Sequence, residues 1–168
     1  MSRRARVEAS APVSFDVRRA VIAGIIAGLV GAGTLGFFLV VTHLAGRSFG
    51  ATTAALLAGT AAALLTPAIL SNPAAPLIGL VIHVVVSIGW GLGYVFALPK
   101  QPFLLTRPWI SGAGFGLIVY IMMQIVLLSG GHYQGVGGQA GFVNGIDAYV
   151  VFFGLPIGLI VAKLLHTA

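Results

Sequence analysis

The sequence predicts an all-α integral membrane protein: four transmembrane helices plus one short Ala-rich helix, either on the outer side or partly inserted. Three observations carry that expectation. Of 168 residues, 58% are hydrophobic and only 7% are charged, against roughly 25% charged in a soluble domain. Four apolar runs are each long enough, at ~1.5 Å per residue, to cross a ~30 Å hydrocarbon core. The Lys and Arg residues, finally, fall almost entirely between or outside those runs.

Residues 1–19 carry Arg3, Arg4, Arg6, Arg18 and Arg19 without an apolar period, and read as a basic cytoplasmic tail. The rest, 20–168, reads as a single helical membrane domain. Its first run, Ala20–Ala45, exceeds the ~7–15 apolar residues of a cleavable signal and is read as a retained span. Gly24 and Gly28 lie four apart on it and offer a face for a close helix neighbour. The second span is placed at Leu77–Leu98, closed by Pro99. The third, Trp109–Ser129, carries the pair Gly112 and Gly116. The last, Val143–Leu165, carries Gly154 and Gly158 with Pro156 between them as the expected kink.

Residues 51–70, ATTAALLAGTAAALLTPAIL, are long enough to span, but Ala and Thr insert weakly. Charge arbitrates. If this segment does not span, Arg3, Arg4, Arg6, Arg18, Arg19, Lys100, Arg107 and Lys163 share one side and Arg47 alone faces the other. If it spans, Lys100, Arg107 and Lys163 join Arg47. The positive-inside rule favours the first arrangement, with both termini cytoplasmic and the 51–70 helix ending near Thr66-Pro67.

Four-residue steps through the second span give Gly79, His83, Ser87 and Gly91, a small and polar stripe that should meet protein and not lipid. Counting rise from the span ends puts His83 about 10 Å, Gln124 about 8 Å and His43 about 3 Å inside the outer boundary. Asp147 falls near the outer start of the last span, and His132 and Tyr133 in the outer loop. An ionisable residue at membrane depth is a functional-site hypothesis. His83, Gln124 and Asp147 therefore form the candidate polar or permeation cluster. The structural alternative is a neutral His83 bonded to Gln124 or to a carbonyl, with Asp147 capping the last helix or solvated. His43 and His83 are the weak candidates for a metal or haem.

Several classes are disfavoured. The chain has no cysteine, which removes disulfides, thiolate metal sites and cysteine nucleophiles. Gly135 to Ala140 matches G-x-G-x-x-A but lacks the βαβ setting of a dinucleotide site. Ser129, His132 and Asp147 have no spacing that supports a triad. The formal charge of +6 comes without a basic patch interleaved with aromatics, so nucleic acid is not an expected partner. Neither catalysis nor a cofactor is expected. The expected partners are membrane lipid and either a second copy or another membrane protein, met through Gly24/Gly28 or Gly112/Gly116.

The order of motifs adds a likeness. Gly79…His83 leads on to Gly91 and Tyr94. Trp109-Ile-Ser-Gly112-Ala-Gly-Phe115-Gly116 opens the third span, and Phe153-Gly154-Leu-Pro-Ile-Gly158 closes the chain. In these pieces the sequence resembles the small YagU-like four-span bacterial inner-membrane proteins of uncharacterised function, across most of the chain after residue 20. The resemblance implies four spans and a bacterial inner membrane, and it carries no activity. Such proteins often carry a second histidine just before the last F-G pair. Here Val150 stands there, which weakens any paired-histidine mechanism.

Overall fold

The computed structural model describes residues 16–97, 103–129 and 145–166, and every regular element among them is helical. Asp16 starts the first. Its carboxylate accepts from the N–H groups of Arg18 and Arg19 at 3.0 and 3.2 Å, satisfying two of the donors that a helix start leaves open. So α1 runs Val17–Thr42, beginning before the expected Ala20. It ends before the expected Ala45 because the chain turns at Ala45 and Gly46, whose φ values are 41° and 80°.

Ser48 caps α2, Phe49–Leu64. The expected 51–70 helix is thus two elements, since Thr66 takes an extended conformation ahead of Pro67, as a residue before proline prefers, and Pro67–Ser71 forms a 3-10 helix. Helix α3 follows over Ala75–Ala97. A short α4, Phe103–Thr106, leads into α5, Pro108–Ser129. The last helix, α6, spans Gly145–Leu165.

Helices α1, α3, α5 and α6 are long and apolar enough to cross a membrane, and α2, at 16 residues, is a shorter apolar helix. Phe37, Val85, Ile118 and Leu128 lie exposed on the outside of the bundle, as suits a surface solvated by acyl chains. Its centre holds Tyr94, Val95, Val119, Phe153, Ile157 and Val161.

In lipid, burial of apolar side chains gives helices little reason to associate, so close approach and dispersion must do it. The glycines allow that approach. A Cβ on Gly28 would stand 2.6 Å from Ser87 O; one on Gly91 would stand 2.8 Å from Gly28 N and overlap Gly24 O. Those residues join α1 to α3. On the other side, a Cβ on Gly112 would stand 2.6 Å from Gly154 O, and one on Gly158 would stand 2.8 Å from Gly112 Cα. Gly116 meets Tyr149 O in the same α5–α6 seam. The faces that sequence reading offered to an outside partner are filled by the chain's own helices.

Helix α6 is not regular: Val150–Gly154 is a π-helical segment. Its cause is Pro156. Proline has no N–H for the Phe152 carbonyl four residues back, and its ring crowds that carbonyl. The Thr34 hydroxyl of α1, which also lies within reach of Val30 O at 2.9 Å and Gly31 O at 3.3 Å, can donate to Phe152 O and so serve the freed acceptor across the interface. Phe38 stacks on Phe152 beside it, with ring centroids 4.2 Å apart.

At one end of the bundle, Tyr94 Oη and Ser111 Oγ are 2.7 Å apart, and Ser111 Oγ donates to Leu104 O at 2.8 Å. This network ties α3, α4 and α5 together. The same end holds Arg18, Arg19, Arg107 and Lys163, because α1 and α5 begin there and α3 and α6 finish there. Arg47 lies at the opposite end, between α1 and α2.

Candidate functional site: a cleft around His83

Two helices share α3 as their support. Helix α1 packs on its second half, through Gly24, Gly28 and Gly91. Helix α2 packs near its start, where the absent side chain of Gly79 lets the Leu57 carbonyl approach so closely that a Cβ would overlap it. These attachments sit at opposite ends of α3, so the upper part of α1 and the body of α2 diverge. A cleft of about 290 Å³ opens between them.

Its walls are apolar: Phe37, Leu39 and Val40 from α1, Phe49, Leu56 and Leu57 from α2, and Leu80 from α3. Thr53, Thr60 and His83 are its polar lining residues. Phe37 and Phe49, 62% and 53% exposed, stand at its open rim. A second cavity of about 160 Å³ lies behind, among α1, α2, α3, α5 and α6. Leu39, Thr60 and His83 belong to the walls of both.

His83 is half-buried and its Nε2 lies 3.1 Å from the Ala32 carbonyl of α1. The imidazole lies over Gly36, where a Cβ would stand 3.7 Å from Nε2, an ordinary contact distance. A carbonyl oxygen can only accept, so Nε2 carries the hydrogen, and in the tautomer protonated there Nδ1 keeps a lone pair. The two threonines are committed differently. Thr53 Oγ1 donates to Phe49 O at 2.8 Å and Thr60 Oγ1 to Leu56 O at 3.0 Å, both within α2.

The stripe Gly79, His83, Ser87 and Gly91 faces protein throughout: α2 at Gly79, and α1 at the other three. The wider cluster is not assembled around it. Gln124 is half-buried on α5 and lines neither cavity, whereas Met123 and Leu127 do. One residue of helix is ~100° of rotation, and depth along the axis does not fix it. Asp147 is exposed in the first turn of α6. Asp16 pairs with Arg19 at 3.7 Å, both exposed at the start of α1 and far in sequence from this cleft.

His43 is exposed at the end of α1, with Nδ1 2.8 Å from Leu39 O. Among the described residues no three His, Cys, Asp or Glu side chains lie close enough to hold a metal together. His132, Tyr133 and the Gly135 to Ala140 segment lie outside the described residues, and so does Lys100.

Sequence reading missed Gly36, Thr34, Thr60 and Tyr149. Pro156 signalled that Phe152 O would need a donor, though not which residue would supply it. Nothing local marked Tyr149, which lines the rear cavity immediately ahead of the π segment. No protein-family model, curated protein or solved structure matches this chain.

Proposed function

We propose that the chain is a non-enzymatic component of a bacterial inner membrane whose working part is the cleft between α1, α2 and α3, and that the cleft takes up a small membrane-soluble molecule. The observation that carries this reading is the divergence of α1 and α2 over a shared α3, which leaves an apolar, laterally open space with a polar floor at His83. A ligand site of this kind is a mostly apolar concavity with a few fixed polar groups. Charge placement supports cytoplasmic termini, since Arg18, Arg19, Arg107 and Lys163 share one end and Arg47 lies at the other. A permeation path through His83, Gln124 and Asp147 loses support because the latter two stand outside the cavity walls.

The test is native mass spectrometry of the protein released from membranes in mild detergent. Gly33 lines the cleft and a Cβ there would meet nothing within 4 Å, so Gly33→Leu should fill the space without disturbing the bundle. A stoichiometric small molecule on the wild type, absent from Gly33→Leu, is the expected result. Equal retention by both proteins would sink the reading.

A second reading, association with another copy or another membrane protein, keeps one observation in its favour. Gly89 and Gly93 lie four apart on the outer face of α3 with no neighbour within 4 Å of either Cβ position. Gly93→Leu should then dissociate a complex seen in lipid nanodiscs; a monomeric wild type there would remove this alternative.

A further inference from the structure

Resting on the cleft reading above, we infer that the cleft selects an uncharged amphiphile whose head group donates a hydrogen bond: a lipid alcohol or a lipid-soluble phenol, with a hydrocarbon body. The argument is one of donors and acceptors. The cleft has three polar side chains, and each has its hydrogen already in use. His83 donates from Nε2 to Ala32 O at 3.1 Å, Thr53 to Phe49 O at 2.8 Å and Thr60 to Leu56 O at 3.0 Å. What each has left is a lone pair: Nδ1 on His83, in the tautomer that donates from Nε2, and the hydroxyl oxygens of the threonines.

The cleft therefore presents acceptors without a spare side-chain donor and without a charged residue in its lining. An anionic head, such as a phosphate or a carboxylate, would meet lone pairs and no cation. Its burial against them is strongly unfavourable. A ketone or an ester alone would find no donor. A hydroxyl supplies one hydrogen, which His83 Nδ1 can take because, unlike the two threonine oxygens, it makes no hydrogen bond within the described residues, while the apolar walls suit a hydrocarbon chain entering from the lipid between Phe37 and Phe49. Specificity of this kind is strong in an apolar setting because a ligand lacking the group leaves the acceptor unpaired.

The chemistry fits two sources, a glycerolipid with a free hydroxyl or a phenolic membrane carrier. Binding is measured by saturable photocrosslinking of the full chain in phosphatidylcholine nanodiscs. Four probes are used: a diacylglycerol, an alkylated hydroquinone, and the O-methyl ether of each. At least one hydroxyl probe should bind about tenfold better than its ether, the equivalent of about 1.4 kcal/mol. The probe that does so identifies the source.

His83→Ala should abolish that preference while leaving weak binding of both members of the pair, and Gly33→Leu should abolish both. Because His83→Ala could loosen the contact with α1, His83→Phe is measured beside it. It retains an aromatic ring over Gly36 and should lose the hydroxyl preference equally. If hydroxyl and ether probes bind alike, and Gly33→Leu blocks them, the donor rule is wrong while the cleft reading stands. If no probe shows binding that Gly33→Leu blocks, both fail. A preference that persists in His83→Ala and in His83→Phe would also overturn the assignment to His83.

Discussion

Substituting alanine at Gly91, with Gly93 as its control, probes the packing on which the cleft depends. A Cβ on Gly91 would stand 2.8 Å from Gly28 N and 2.9 Å from Gly28 Cα, both backbone atoms, where ordinary contact begins at 3.4 Å. No side-chain rotation relieves that. Helices α1 and α3 must part by on the order of 0.5–1 Å, and a gap of that size forfeits about a quarter to a half of each pair's ~0.1–0.2 kcal/mol well. Over an interface of some tens of atom pairs the loss is about 1–3 kcal/mol, the range found for overpacked cores. Gly93, two residues on, faces outward with nothing within 4 Å. Both substitutions share any helix-propensity gain of roughly 0.8–1 kcal/mol, so their difference isolates the clash. Steric-trap unfolding in bicelles should put Gly91→Ala about 1–3 kcal/mol below Gly93→Ala. Two variants within about 0.5 kcal/mol of each other would refute the reasoning.

Other perturbations follow from the same contacts. Thr34→Val leaves Phe152 O without its donor and should destabilise the chain by about 1–1.5 kcal/mol. In a Pro156→Ala background the restored N–H can serve that carbonyl, so a double-mutant cycle should show the loss shrinking; additive effects would count against the proposed origin of the π segment. Gly79→Leu should push α2 off α3, seen as faster hydrogen exchange across Phe49–Leu64 with the four long helices still protected. Unchanged exchange there would mean that Gly79 does not hold α2. Tyr94→Phe removes one partner of Ser111 Oγ and should cost about 1 kcal/mol, with Ser111→Ala adding less than its separate effect.

The helices were legible because their causes are local or one-dimensional. Run length identified the four spans, Pro67 marked the stop of the Ala-rich helix and Pro156 marked the irregularity in the last one. Gly79, His83, Ser87 and Gly91 share a face at helical spacing, so their turn toward protein could be read in advance. What they would meet could not, because the rotation of each neighbouring helix is set by pairings distant in sequence. Gly112 and Gly116 fix α5 against α6, and that rotation leaves Gln124 off the cavity wall despite its matching depth. Asp16 shows the complementary failure: a capping carboxylate extended α1 into a stretch whose arginines read as tail. The placing of His83 over Gly36 becomes visible only in the packed bundle.

The most direct test of the account is the sidedness of the two ends of α2. Because the chain lacks cysteine, single cysteines at Ser48 and Ser71 can be challenged in sealed, oriented vesicles with a membrane-impermeant maleimide, with a cysteine at Arg107 marking the opposite face. If α2 rests on α3 as a cover and not as a fifth span, the Ser48 and Ser71 positions label from the same side and the Arg107 position from the other. Labelling of the Ser48 and Ser71 positions from opposite sides would contradict the four-span arrangement and with it the cleft.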